Sequence, residues 1–204
     1  MPAYESISFA IGAYILGAVP FGKIIAGSVA RIDITQRGSG NIGATNVARE
    51  LGMKWGVITL ILDVLKGLAP VLIFSLFASG TNASYETALA SIGLCALLGH
   101  MFPVFLRFRG GKGVATALGV YLAISPLSCL CGAILFVLIV IKWDFISLGS
   151  IISSSAMPLF LLLFGKPSPI IIGSALMAIL ICYKHKDNMR RLIKGEERKF
   201  REKG

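Results

Sequence analysis

Four short polar clusters in this chain carry residue types suited to holding anions. The first is Ser39-Gly40-Asn41-Ile42-Gly43-Ala44-Thr45-Asn46-Val47-Ala48-Arg49. Gly40 and Gly43 let the backbone come close to a bound group, so that N–H and hydroxyl donors converge on it. If the end of the stretch is helical, Thr45 and Arg49 are four apart and share a face. The second cluster is Arg109-Gly110-Gly111-Lys112-Gly113-Val114-Ala115-Thr116. Gly-Gly-Lys-Gly at a helix start combines free N–H groups, the positive end of the dipole and a lysine, which together suit phosphate. It is not a nucleotide-binding P-loop: no glycine stands five before Gly111, and Gly113 replaces the required Ser or Thr. ATP hydrolysis is therefore not expected. The third cluster, Ser147-x-x-Ser150, and the fourth, His185-x-x-Asn188, each place two polar groups on one helix face. Arg190, Arg191 and Lys194 follow the fourth.

Each cluster also has a plain structural reading. Glycine and serine in membrane helices allow close packing, basic residues anchor helix ends, and a lone histidine at a helix end often only caps it. The coincidence of four phosphate-suited clusters is what favours function. Asp63 and Lys66 stand apart, because they lie three residues apart within an apolar run. Charges at such depth are costly and are expected to face the interior and pair. His100 reads either as a packing residue or as a group behind the site. The four cysteines (Cys95, Cys129, Cys131, Cys182) fall in apolar segments without metal-ligand spacing, so no metal or cofactor is expected.

The elements that must position these clusters are membrane helices. The chain has 204 residues, 55% of them hydrophobic and only 15% charged, against about 25% charged in soluble domains. The reading is an all-α integral membrane protein forming one domain over 1–204. Apolar stretches at about 5–27, 54–78, 86–106, 113–125, 127–142, 147–164 and 169–183 predict seven transmembrane helices, with Ser125-Pro126 dividing the fourth from the fifth. The only charge ahead of the first run is Glu5, so a cleavable signal with a basic n-region is not expected.

Seven spans place Lys23, Arg31, Arg37, Arg49, Lys54, Arg107, Arg109, Lys112, Lys142 and the nine basic residues from Lys184 onward on one side. That is 18 of the 20 Lys and Arg residues. The basic side is the cytoplasmic one, which puts the N-terminus outside, the C-terminus inside, and all four clusters at the cytoplasmic face. The net charge of +10 then suits anionic lipid headgroups and metabolites. Nucleic acid is not expected, since no recognition fold fits between the spans.

These residues resemble the bacterial acyl-phosphate:glycerol-3-phosphate acyltransferases, the PlsY-type membrane enzymes. The likeness runs along nearly the whole chain. It includes Gly38 to Asn46, Leu62-Asp63-Val64-Leu65-Lys66-Gly67, Gly99-His100-Met101-Phe102-Pro103-Val104-Phe105 through Gly113, and His185-Lys186-Asp187-Asn188 with Arg191-Leu192. Met189 and Glu196 stand where the family pattern carries Ile and Thr. The His-x4-Asp motif of soluble-type glycerolipid acyltransferases is absent, because Phe105 and Arg190 stand five beyond the two histidines.

The resemblance implies transfer of a fatty acyl group from acyl phosphate to the sn-1 hydroxyl of glycerol 3-phosphate. The products are lysophosphatidate and phosphate, made at the inner membrane with the site facing the cytoplasm. Lys112, Arg49, Gly111 and Gly113 are expected to bind phosphate, with Ser39, Asn41, Thr45, Asn46 and Thr116 as further substrate contacts. Ser150 and Asn188 are expected to hydrogen-bond the substrate and the developing oxyanion. His185 serves as phosphate ligand or proton acceptor, unless the departing phosphate takes the proton itself. The competing readings are a transporter of anionic lipid or metabolite and a membrane scaffold. Membrane lipids are the remaining expected partners; oligomeric state is not legible.

Overall fold

The structure, a computed structural model, describes residues 3–78 and 82–201. Lys203, counted above in the basic tail, lies outside them. Among the described residues there are ten α-helices and no strand. They are α1 (Ala3–Gly17), α2 (Phe21–Ala30), α3 (Ala44–Leu51), α4 (Met53–Phe77), α5 (Ala83–Met101), α6 (Val114–Ile124), α7 (Pro126–Trp143), α8 (Ile146–Leu163), α9 (Ser168–Lys184) and α10 (Lys186–Lys194).

All seven apolar stretches are helical, but they are not alike. The first is broken, because Pro20 has no N–H to continue the ladder and cannot follow α1 without a kink. The Val19 carbonyl left at the break accepts a hydrogen bond from Lys66 Nζ at 2.9 Å. Stretch 113–125 becomes α6, an 11-residue helix, about 16 Å long at 1.5 Å per residue. That is roughly half of a ~30 Å hydrocarbon core. Among the described residues five helical segments are long and apolar enough to cross a membrane, with a sixth if α9 and α10, bent by 57° at His185, count as one span. The break at Ser125-Pro126 falls as expected, with Pro126 opening α7 and the Ser125 and Ser128 hydroxyls 2.8 Å apart.

The core holds Val71, Phe74, Ile92, Leu97, Val120, Leu161 and Ile181, each at most 1% exposed. Outward-facing Leu76, Phe77, Leu163 and Ile179 are exposed, as a lipid-facing surface requires. Small residues bring the helices together. A Cβ at Gly99 of α5 would run into the Tyr14 carbonyl of α1, and one at Gly119 of α6 into the Val64 carbonyl of α4. Gly99→Leu is therefore expected to destabilise by about 1–3 kcal/mol or more, the cost of overpacking. Thermal unfolding in detergent checks this, with Gly12→Leu unchanged, since nothing lies within 4 Å of a Cβ there.

Candidate active site

The four clusters meet at one cavity of about 650 Å³. Its polar mouth is lined by Ser39, Thr45, Arg49, Lys112, His185 and Asn188. Below them the walls turn apolar, through Leu60, Leu118, Ala133 and Phe136, to a floor at Tyr121, Cys129 and Met157. From Ser147 to Met157 along α8 is ten residues, about 15 Å of depth. One rim is the outer face of α4, where Met53, Val57 and Leu60 line the cavity while being 60%, 44% and 41% exposed.

The first wall is α3 and the turn before it. Asn41 Oδ1 accepts the Gly43 N–H at 2.8 Å, which sets Gly43 as the N-cap. Asn46 is 3% exposed; its oxygen accepts the Ser39 N–H at 2.9 Å. Its amide nitrogen donates to the carbonyls of Asn41 at 2.9 Å, Arg37 at 3.1 Å and Ile34 at 3.3 Å. Asn46 thus holds the turn together with both of its polar atoms, while Asn41 uses its Oδ1 there and also lines the cavity. For Asn46 that differs from the expected substrate contact, because a buried amide must satisfy its own hydrogen bonds first. Thr45 and Arg49 do share a face of α3 and both reach the cavity.

The glycine loop forms the second wall. Gly113 takes the left-handed conformation (φ 84°) and caps α6, so the helix N-terminus opens on the cavity. Gly111 is turned away: its N–H donates to the His100 carbonyl at 3.0 Å, and it is absent from the cavity lining. Thr116 is also off the cavity. It is fully buried, with its backbone and methyl packed where a Cβ at Gly67 of α4 would stand. Neither therefore meets the expectation of a phosphate contact. In both cases the tight packing of glycine against a neighbouring helix decides the direction.

Lys112 Nζ donates to Asn188 Oδ1 at 2.6 Å. Burial lowers the Lys112 pKa to about 8, with Arg191 and Arg49 adding to the effect against the nearby Glu197. The Asn188 amide nitrogen in turn donates to Glu197 Oε1 at 2.6 Å. Ser147 donates to the same oxygen at 2.7 Å, and Arg191 Nε to Oε2 at 2.7 Å. Burial pushes the Glu197 carboxyl up, but the hydrogen bonds from Ser147, Asn188 and Arg191 more than reverse it and hold it low. Asn188 is therefore a bridge between a cation and an anion, with one of its two amide N–H groups engaged by Glu197.

Ser150 gives its hydroxyl proton to the Ile146 carbonyl, 2.9 Å away, and keeps only acceptor capacity towards the cavity. His185 Nδ1 lies 2.8 Å from the Ile181 carbonyl. A carbonyl can only accept, so Nδ1 carries the proton and Nε2 keeps its lone pair. Burial and then the Lys112 charge lower the His185 pKa to about 4, so the ring is neutral near pH 7.

The residue that sequence reasoning missed is Glu197. It sits in a segment past α10 that folds back over the mouth, where the Phe200 N–H donates to the Asp144 carbonyl at 2.8 Å. Arg49 also reaches this segment, donating to the Lys199 carbonyl at 3.4 Å. The one available signal was Glu196-Glu197, an acidic pair within an otherwise basic tail. Asp63, His100 and Arg191 also line the cavity.

Comparisons with known proteins cover nearly the whole chain. A family model described as glycerol-3-phosphate acyltransferase matches residues 7–195. The glycerol-3-phosphate acyltransferase of Geotalea daltonii is 49% identical over 197 residues, covering 97% of this chain and 98% of that protein. That of Aquifex aeolicus is 41% identical over 196 residues, covering 96% and 100%. Among solved structures, the crystal structure of PlsY, an integral membrane glycerol 3-phosphate acyltransferase, in its glycerol 3-phosphate form, superposes with a TM-score of 0.89 at 40% identity. The match covers 96% of this chain and 95% of that one. Its lysophosphatidic acid form gives 0.87 at 39%, with the same coverage. With buried glycines, cationic mouth and apolar arm all accounted for by one architecture, this chain belongs to the glycerol-3-phosphate acyltransferase family of integral membrane proteins.

Proposed function

We propose that the protein transfers a fatty acyl group from acyl phosphate to the sn-1 hydroxyl of glycerol 3-phosphate, releasing 1-acyl-glycerol 3-phosphate and phosphate. The observation that carries this is the single cavity with a cationic mouth continuous with an apolar arm. Both substrates bear phosphate and one bears a long chain, so such a cavity fits both together.

Lys112, Arg49 and the α6 N-terminus hold the phosphates, with Ser39 and Thr45 at the edge. His185 Nε2, unprotonated and facing the cavity, accepts the glycerol hydroxyl's hydrogen bond and orients it. The hydroxyl oxygen forms the new ester bond to the acyl carbon as the bond from that carbon to the phosphate oxygen breaks. The proton leaves with the phosphate, which is basic enough to need no strong base from the protein. Positioning and charge stabilisation do the rest. Ser150 has no base within reach, so no acyl-enzyme is formed through it.

The mouth faces the cytoplasm of the bacterial inner membrane. Charge supports this: Arg31, Arg37, Lys112, Lys142 and α10 lie at helix ends that the seven crossings read from the sequence would bring to one side. If α6 and α7 only dip in and return, two crossings are lost together and every other connection keeps its side.

Purified protein given acyl phosphate and glycerol 3-phosphate is expected to release phosphate only when both are present. Uptake into liposomes without any such release would support the transport reading instead. The pH dependence is specific. Lys112 is charged below about pH 8 and neutral above it. The KM for glycerol 3-phosphate is expected to be flat at about pH 7 and to rise towards roughly tenfold per unit above pH 8, the limit for a single required proton. Lys112→Arg, whose guanidinium stays charged, removes the rise.

A further inference from the structure

Three charged or titratable side chains lie buried beneath the glycine loop, and the transfer chemistry uses none of them. Asp63 and Lys66 of α4 are each 2% exposed and His100 of α5 is 3% exposed. Lys66 Nζ is 2.8 Å from Asp63 Oδ1 and, through its bond to the Val19 carbonyl, is tied to the break between α1 and α2. Its ammonium also lies 5.6 Å from the Phe21 ring centroid. On the other side of Asp63, His100 Nδ1 is 3.7 Å from the same carboxylate oxygen and has no hydrogen-bond partner of its own. The His100 ring then lies flush against the loop, so that a Cβ at Gly111 would fall on Nε2. The His100 carbonyl receives the Gly111 N–H, and the Met101 carbonyl receives that of Gly110 at 3.2 Å. One residue further along is Lys112.

We infer that Asp63, Lys66 and His100 are positioning residues: the carboxylate, braced by Lys66 against the α1–α2 break, holds the His100 ring as the seat of the glycine loop and so fixes Lys112 at the mouth. The cluster is more than a paired charge. An ion pair of two residues would satisfy Asp63 and Lys66, and would leave no reason for an imidazole nitrogen without a partner to face the same carboxylate. Nor would it explain a glycine at 111, which is needed only because the ring occupies the space of its side chain. The contacts run in one direction, from a helix break 47 residues upstream of Lys66 to the loop that carries the cationic ligand.

The inference rests on the proposed binding of glycerol 3-phosphate by Lys112, and the test separates the two. The dissociation constant for glycerol 3-phosphate is measured without acyl donor, alongside kcat and KM, in wild type, His100→Ala, Asp63→Asn and Gly111→Ala. Amide exchange across residues 107–116 is followed in parallel. A displaced seat is expected to raise the dissociation constant and KM by roughly tenfold or more while kcat stays within about threefold, the signature of lost uniform binding. Exchange at the loop should rise, with α4 and α5 unchanged. His100→Gln, which fills much of the same space and can donate to Asp63, should restore tight binding.

Unchanged affinity and unchanged loop exchange in the variants would overturn the inference. So would a fall in kcat at constant KM, which would place the cluster in the chemistry itself. If Asp63→Asn does not fold, His100→Ala and its rescue by His100→Gln decide, with Gly111→Ala as the variant that crowds the ring from the loop side. Wild type that binds glycerol 3-phosphate but releases no phosphate with both substrates would sink the proposed reaction and leave this comparison standing. Wild type that shows no binding at all would remove both.

Discussion

Lys112→Ala is expected to lower kcat/KM for glycerol 3-phosphate by about 10²–10³, the size of loss when one preorganised charged donor is removed. The Lys112 side chain is a cation at the mouth of the cavity. Its ammonium touches Asn188, sits near Glu197, Arg191 and Arg49, and projects from the residue before the α6 cap. In a partly desolvated pocket such a charge acts with less screening than at an open surface. No neighbour replaces it, because Arg191 is bound to Glu197 and Arg49 approaches from the opposite wall. Steady-state rates of phosphate release from purified variant check the loss, with an unfolding temperature close to wild type to show that the fold is intact. A near-normal kcat/KM would remove Lys112 from the site.

A loss of the same order, about 10²–10³, is expected for Asn188→Ala, but for a different reason. Asn188 bridges Lys112 and Glu197 through bonds of 2.6 Å each. Removing the amide leaves a buried cation and a buried anion facing each other across the space it vacated. The direct attraction of such a pair in a half-buried setting is several kcal/mol, of order 4 at an effective dielectric near 20. Lys112 then turns to Glu197 and is withdrawn from substrate phosphate. The double variant Lys112→Ala/Asn188→Ala should therefore cost little more than either single one, since residues acting as a unit are strongly non-additive. Rates measured around this cycle decide the point. Multiplying losses would mean that the two act independently and that Asn188 has its own contact with substrate.

Much of this was open to sequence reasoning, because helix formation in lipid is dictated by runs of apolar residues. Each predicted stretch is helical, and Asp63 and Lys66 pair as buried opposite charges must. Thr45 and Arg49 follow from helical spacing alone. The failures have a common cause in contacts made across long sequence distances. Nothing local to Gly111 shows that the His100 carbonyl takes its N–H, and nothing near Thr116 shows Gly67 lying against it. Asn46 resembles a substrate ligand by type, yet three carbonyls and one N–H of its own turn claim it. Glu197 was hidden for the same reason, since its partner Ser147 is 50 residues away and the tail it lies in reads as a solvated basic end. The shortness of α6 was more visible: its stretch is the briefest of the seven, and the Ser125-Pro126 break limits it.

The exposed face of α4 along the cavity bears on how this enzyme meets its acyl donor. Met53, Val57 and Leu60 line the cavity and are exposed on α4, and we propose that the apolar arm opens there towards the bilayer. A donor arriving by that route is counted per lipid molecule and not per litre. Its effective concentration is a mole fraction in two dimensions, and an acylated product would spread into the same plane without entering water. Adding inert detergent or phospholipid at constant total donor should then slow the reaction by surface dilution, while the water-soluble acceptor keeps its ordinary dependence on bulk concentration.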